Sequence, residues 1–207
     1  IDQLREGGLM LVVIQNPGGG GDSLFLLEKR GNQLNSLEAE PCSFVSMQGI
    51  SENPDISPID RSSWSSWETL RTQKIRQVPY YWGGKGLSDF IYRTEGVRSF
   101  LGIVEPRFRL FVFSEGEDKG GFGLVASDQQ SAVIATSRSI TAYGQLDLTD
   151  QMLDLIREWV TQGMPISANF QLEIHPSSKT VIPQSDQWLV RRRHAQFLWK
   201  LPTSTPG

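Results

Sequence analysis

Four short runs, "RLFVFS", "GFGLVA", "SAVIAT" and "SITAYG", follow one another between Arg109 and Gly144. Each is dominated by β-branched, aromatic or small apolar residues, and Gly, Asp, Glu and Ser separate them. Runs this short cannot be core helices, and the separators are turn formers, so the pattern predicts an antiparallel meander. A helix follows it. Thr149 can cap its start, Asp150 suits its positive end, and Met152, Leu155, Ile156 and Trp159 recur at helical spacing. Gly163 and Pro165 stop it. "ANFQLEIHP" and "QWLVRRRHAQFLWKLP" then read as two more strands returning to the sheet. The expectation for this region is an α+β fold.

A chain of 207 residues with 38% hydrophobic content can bury a sizeable core. A net charge of -3 offers no broad basic surface, so nucleic acid is a poor partner. No apolar run approaches the roughly 20 residues of a membrane span, so no membrane partner is expected either. A single cysteine, Cys42, excludes an intrachain disulfide and fits a reducing, cytoplasmic location. Two scattered histidines and one cysteine do not make a zinc site, and no G-x-S-x-G nucleophile elbow is present. The expected metal is none.

At the other end, "GGLMLVVIQNPGGGGDSLFLLEKR" begins at Gly7 and holds four consecutive glycines, Gly18 to Gly21. A phosphate-cradling loop needs a helix N-terminus after the glycines. Here Leu24 to Leu27 continue as an apolar strand, so strand, turn, strand is the economical reading. Before it, Ile1 and Leu4 at helical spacing and Gly7 at a C′ position look like the last turn of a helix, with the expectation that its beginning lies before Ile1.

The order of elements in the first fifty residues is similar to the C-terminal part of the catalytic domain of the protein-L-isoaspartate (D-aspartate) O-methyltransferase family. The residues that carry the resemblance are Leu4, Gly7, Gly8, Leu9, Leu11 and Ile14, then Leu24 to Lys29, then Phe44, Val45 and Met47. The sequence departs from the family at Ser46, where proline is usual. The resemblance implies the end strands of a class I, Rossmann-like methyltransferase sheet over residues 1–49, and S-adenosyl-L-methionine as cofactor of the full-length enzyme. It also implies a peptide or protein substrate, methylated on an Asp or isoAsp carboxylate. The glycine turn and acidic ribose ligand that hold such a cofactor are not found in this sequence, so this fragment alone is expected neither to bind it nor to be active. Since the family's matching strand runs beside bound peptide, Ser43, Phe44 and Val45 become substrate-side candidates, with ordinary sheet core as the other reading. Cys42 has no activating base specified nearby and is a poor nucleophile.

After Gly49, "ISENPDISPIDRSSWSSW" is rich in Ser, Pro, Asp and Asn, which marks a linker and sets residues 50–207 apart as an accessory α+β domain. Trp64, Trp67 and Leu70 stand three apart, as on a short helix reaching about Arg76. The indoles are either core or a peptide-binding platform. Near the end, alternation on a strand sends Arg191 and Arg193 to one face and Arg192 with His194 to the other. Arg191 and Arg193 are candidate contacts for acidic groups of a peptide, or a solvated strand face. Two functions therefore stand: a carboxyl methyltransferase with a substrate-recognition extension, and a non-enzymatic α+β binding or scaffold module.

Overall fold

A computed structural model describes residues 3–19, 21–42, 59–60, 64–82, 90, 93–112 and 120–202. It is an α+β protein with two six-stranded sheets and few helices. The chain divides into two compact units. Residues 1–16, 21–45 and 165–207 form the first, and residues 17–20 and 46–164 the second.

The first unit is built on β1 (Leu9–Gln15), β2 (Asp22–Arg30) and β3 (Gln33–Cys42), with β10 (Gln171–Pro176), β11 (Gln187–Arg191) and β12 (Ala195–Lys200). Their order is β1-β2-β3-β10-β12-β11, with every neighbouring pair antiparallel. The glycine run is answered here: β1 and β2 pair from Leu9↔Glu28 to Gln15↔Asp22, so the glycines join a hairpin. Gly18 takes φ 65, which other residues adopt at a steric cost.

This sheet cannot be flat. Phe25 of β2 and Trp199 of β12 lie three strand intervals apart, about 14 Å along a flat sheet. Their ring centroids are 5.7 Å apart and edge-on. The sheet curls round a core of Phe25, Leu27, Leu34, Leu172, Ile174 and Trp199, with Phe170 against both Trp199 and Trp188. The 3-10 turn Ser167–Asn169 is held to it by Ser23 Oγ–Ser167 Oγ at 2.6 Å.

The second unit contains β4 (Ile59–Asp60), β5 (Lys74–Pro79), β6 (Phe108–Val112), β7 (Gly120–Val125), β8 (Ser131–Ala135) and β9 (Ser139–Gly144). Its order is β4-β6-β7-β8-β9-β5, with one parallel pair, β4–β6, among the described strands. The helices among the described residues are α1 (Trp67–Leu70), α2 (Glu95–Val104) and α3 (Thr149–Thr161). Apolar side chains bury Val97, Phe100, Leu101 and Ile103 of α2, and Met152 and Ile156 of α3. Glycines let β7 and β8 approach closely: a Cβ on Gly123 would stand 1.8 Å from the Val133 carbonyl oxygen. No helix among the described residues is long and apolar enough to cross a membrane.

Several expectations need correction. The last strands do not return to the meander; β10, β11 and β12 complete the sheet begun by β1 to β3, so the compact units cut across a boundary near residue 49. "QWLVRRRHAQFLWKLP" is a hairpin of two strands, with the Arg192 N–H donating to the Ala195 carbonyl at 2.9 Å. The Trp64 helix stops at Leu70, because the following residues pair with β9 as β5. At α3, Asp147 Oδ1 accepts from the Thr149 N–H at 2.9 Å, so Asp147 supplies the capping contact expected of Thr149.

Candidate functional site

The sequence candidates fall in three places. Ser43, Phe44 and Val45 lie outside the described residues. Trp64 and Trp67 are core: they are 9% and 4% exposed, stack at 5.8 Å, and share a cluster with Leu70, Phe111, Val125, Ala132 and Ile134. Trp67 also meets Tyr143 edge-on at 5.3 Å. Indoles enclosed on both faces cannot serve as a peptide platform, so their assignment to substrate is corrected to packing. Trp82 likewise packs on Phe122 at 5.3 Å, while Tyr81 beside it is exposed.

Arg191 and Arg193 remain on the surface, but not on a common strand face. Arg191 ends β11, and Arg193 and His194 form the tip of the β11–β12 turn. Arg192 is the one turned inward. Its Nη2 donates to the Gln15 carbonyl at 2.5 Å, and its guanidinium lies over the Phe197 ring at 4.7 Å. Gln15 belongs to β1, the opposite edge of the same sheet, so this bond marks the seam where the curled sheet brings its edges together. Burial pushes the Arg192 guanidinium below its ordinary value, and no carboxylate offsets that burial. Among the described residues, none of the three arginines has an ion pair.

The residue after Gln15 adds a second feature that sequence reading missed. Asn16 is fully buried, and among the described residues neither its Nδ2 nor its Oδ1 has a hydrogen-bond partner; Arg192 Nε has none there either. A buried polar atom left without a partner costs about 1–3 kcal/mol. The signal available for Arg192 was strand alternation, which set it opposite Arg191 and Arg193. Asn16 gave none, since a polar residue after a strand looks like an ordinary turn.

Elsewhere in the first unit, a second polar cluster is fully engaged. His175, buried on β10, places Nε2 3.1 Å from Glu173 Oε2 and Nδ1 3.1 Å from Lys179 Nζ. Lys179 also reaches Gln33 Oε1 at 3.0 Å, and Lys200 pairs with Glu173. Lys179 donating to Nδ1 leaves Nε2–H to donate to Glu173, so the histidine is neutral. Desolvation first, then the Lys179 charge, holds its pKa below the ordinary value against the pull of Glu173. Cys42, at the end of β3, is half-buried; burial and then Asp22 push its thiol pKa up, the opposite of an activated nucleophile. No group of three metal-ligating side chains occurs among the described residues.

No protein-family model matches the chain, and no curated protein matches it. One solved structure similar to it is a protein-L-isoaspartate O-methyltransferase. The similarity has a TM-score of 0.38 at 16% identity and covers 83% of this chain and 45% of that one. The chain thus spans less than half of that protein's length, and a likeness this weak carries no argument about what the chain does.

Proposed function

We propose that the chain is the C-terminal portion of an S-adenosyl-L-methionine-dependent protein or peptide carboxyl O-methyltransferase, and that its own task is to recognise the acidic peptide. The reaction class rests on the sequence resemblance of the first fifty residues. Recognition rests on one observation: three consecutive arginines with no ion pair among the described residues, one of them partly desolvated at the seam of the sheet. Arginine forks bind carboxylates through paired, charge-assisted hydrogen bonds. A carboxylate is already ionised near neutral pH, so it would need no strong base; the cofactor would supply the methyl group, its sulfur–methyl bond breaking as the ester bond forms and S-adenosylhomocysteine leaving. Methyl transfer in line then depends chiefly on positioning. The cofactor would be held outside the described residues.

The binding-module reading is favoured by a different observation. The first three strands are completed into a sheet by the chain's own last three, so the unit has its own core. The experiment that separates the two is methyl transfer by the full-length protein from labelled S-adenosyl-L-methionine to an isoaspartyl peptide. Label in base-labile ester on the peptide supports the enzyme. Peptide binding without any transfer supports the module.

A further inference from the structure

We infer that the outer face of β1 and β2 is a docking surface for a cationic amphipathic helix of a partner protein, one whose apolar stripe is flanked by Lys or Arg. The pairing register sorts the side chains of this hairpin. Phe25 and Leu27 point into the core and are buried. Leu24 and Leu26 alternate with them and so lie on the other face, opposite Val13 and Leu11 of β1, with Leu9 next along, opposite Glu28. Leu11 is 64% exposed and Leu9 57%, while Val13, Leu24 and Leu26 are half-buried. Apolar residues on adjacent strands thus form one open patch, of the kind that marks an interaction surface when polar groups rim it. Further along, the chain covers this face itself. Asn35 pairs with Glu28 on one side and Glu173 on the other, which puts Glu173 and His175 on the leucine side of the sheet. There His175 is only 2% exposed, and Lys179 meets its Nδ1 and reaches across to Gln33.

The rim decides what fits. On β3, Glu38 stands opposite Leu26 and Glu40 opposite Leu24, so both carboxylates border the patch. Both are exposed, and neither has an ion pair among the described residues. Glu28, at the Leu9 end, is already paired with Arg30 at 2.7 Å. An apolar occupant with cations on one flank would bury the leucines and meet Glu38 and Glu40 together. The dimensions suit a helix. From β1 to β3 is about 10 Å, two strand spacings, which matches the width of one helix. Leu9 to Val13 spans about 14 Å along the strand, the rise of about nine helical residues. A helix laid on a sheet face is also the ordinary way in which such a face is buried. Two other occupants fit less well. An anionic lipid surface would be repelled by the same carboxylates, and a second copy applied face to face would bring its own Glu38 and Glu40. The inference goes beyond peptide recognition by the arginine turn and does not depend on it.

The test titrates the chain, with its leucine and valine methyl groups labelled for NMR, with a peptide of about 14 residues that has leucine at i, i+3, i+4 and i+7 and lysine elsewhere. The expected result is that the methyl resonances of Leu9, Leu11, Leu24 and Leu26 shift together, and that the same peptide with glutamate in place of lysine binds at least about tenfold more weakly. Glu38→Gln combined with Glu40→Gln should cost a similar factor, and so should Leu11→Ser, whereas Val160→Ser, at an exposed apolar residue of α3 in the other unit, should cost nothing. The methyl shifts are read on the unaltered chain and decide the matter if Leu11→Ser fails to fold. Equal binding of the lysine and glutamate peptides overturns the inference, as does binding that leaves the four leucines unmoved, or no binding at all. Vesicles of phosphatidylcholine and phosphatidylglycerol that shift the same methyl groups, or a self-association that Leu11→Ser abolishes, would also overturn it and assign the face to a membrane or to a second copy.

Discussion

Trp67→Ala should remove much of the stability of the second unit. The indole is 4% exposed, stacks on Trp64 at 5.8 Å and meets Tyr143 edge-on at 5.3 Å, with Leu70, Phe111 and Ile134 in the same cluster. Burying a side chain of about 250 Å² at about 25 cal/mol per Å² gives an upper figure of about 6 kcal/mol. Truncations of buried tryptophan to alanine usually cost about 3–5 kcal/mol, because neighbours only partly close the cavity. Here the neighbours sit on strands β6, β7, β8 and β9, whose backbones are fixed by pairing, so the expected loss is in that range. A chain with two compact units need not unfold in one step, so hydrogen exchange of the β7 and β8 amides is the suitable probe. A loss under about 1 kcal/mol, accompanied by loss of peptide binding, would refute the core assignment and restore the indole to a recognition surface.

Gly123→Ala should destabilise by more than the about 1–3 kcal/mol of ordinary overpacking, since its Cβ would fall 1.8 Å from the Val133 carbonyl oxygen; thermal unfolding checks this, and an unchanged midpoint would contradict the close β7–β8 approach. The first unit should lose stability as pH falls. His175 stays neutral in the fold with a pKa below its ordinary value of about 6.5, so below that pH the unfolded chain takes up the proton first. Glu173 acts in the same direction at lower pH: burial opposes its ionisation, but Lys200 and then His175 outweigh that and hold its pKa down. Denaturant midpoints between pH 8 and pH 5 should fall, and His175→Gln should flatten the slope; stability rising towards pH 5 would contradict the neutral histidine. Cys42 should react with iodoacetamide more slowly at pH 7 than a free thiol, since its thiolate is disfavoured, and fast alkylation would contradict that environment.

What the sequence made legible followed local rules. The runs between Phe108 and Gly144 became β6 to β9, because short apolar runs bounded by turn formers have few other options. Helix α3 emerged from its periodicity. The pairing of β3 with β10 joins Leu34 to Ile174 and Asn35 to Glu173, and nothing local announces partners so far apart along the chain. That one long-range pairing redraws the division of the chain. At the arginines, reading "WLVRRRHAQFLW" as one strand let alternation set Arg192 apart from Arg191 and Arg193, but only the β11–β12 hairpin and the curl of the sheet bring it to the Gln15 carbonyl of β1. The Trp64 helix failed for a related reason, because pairing of Lys74–Pro79 with β9 overrode helical spacing.

The most direct test of the account is the affinity of a fluorescent acidic peptide for the chain, measured by anisotropy at low and high salt, with and without Arg191→Ala and Arg193→Ala combined. Recognition by the arginine hairpin predicts binding that weakens as salt rises, a loss of about tenfold or more in the double variant with the fold intact, and no comparable binding of the same peptide with its acids replaced by amides. Equal affinity for the acidic and neutral peptides, or an acidic peptide held as tightly by the double variant, would contradict it.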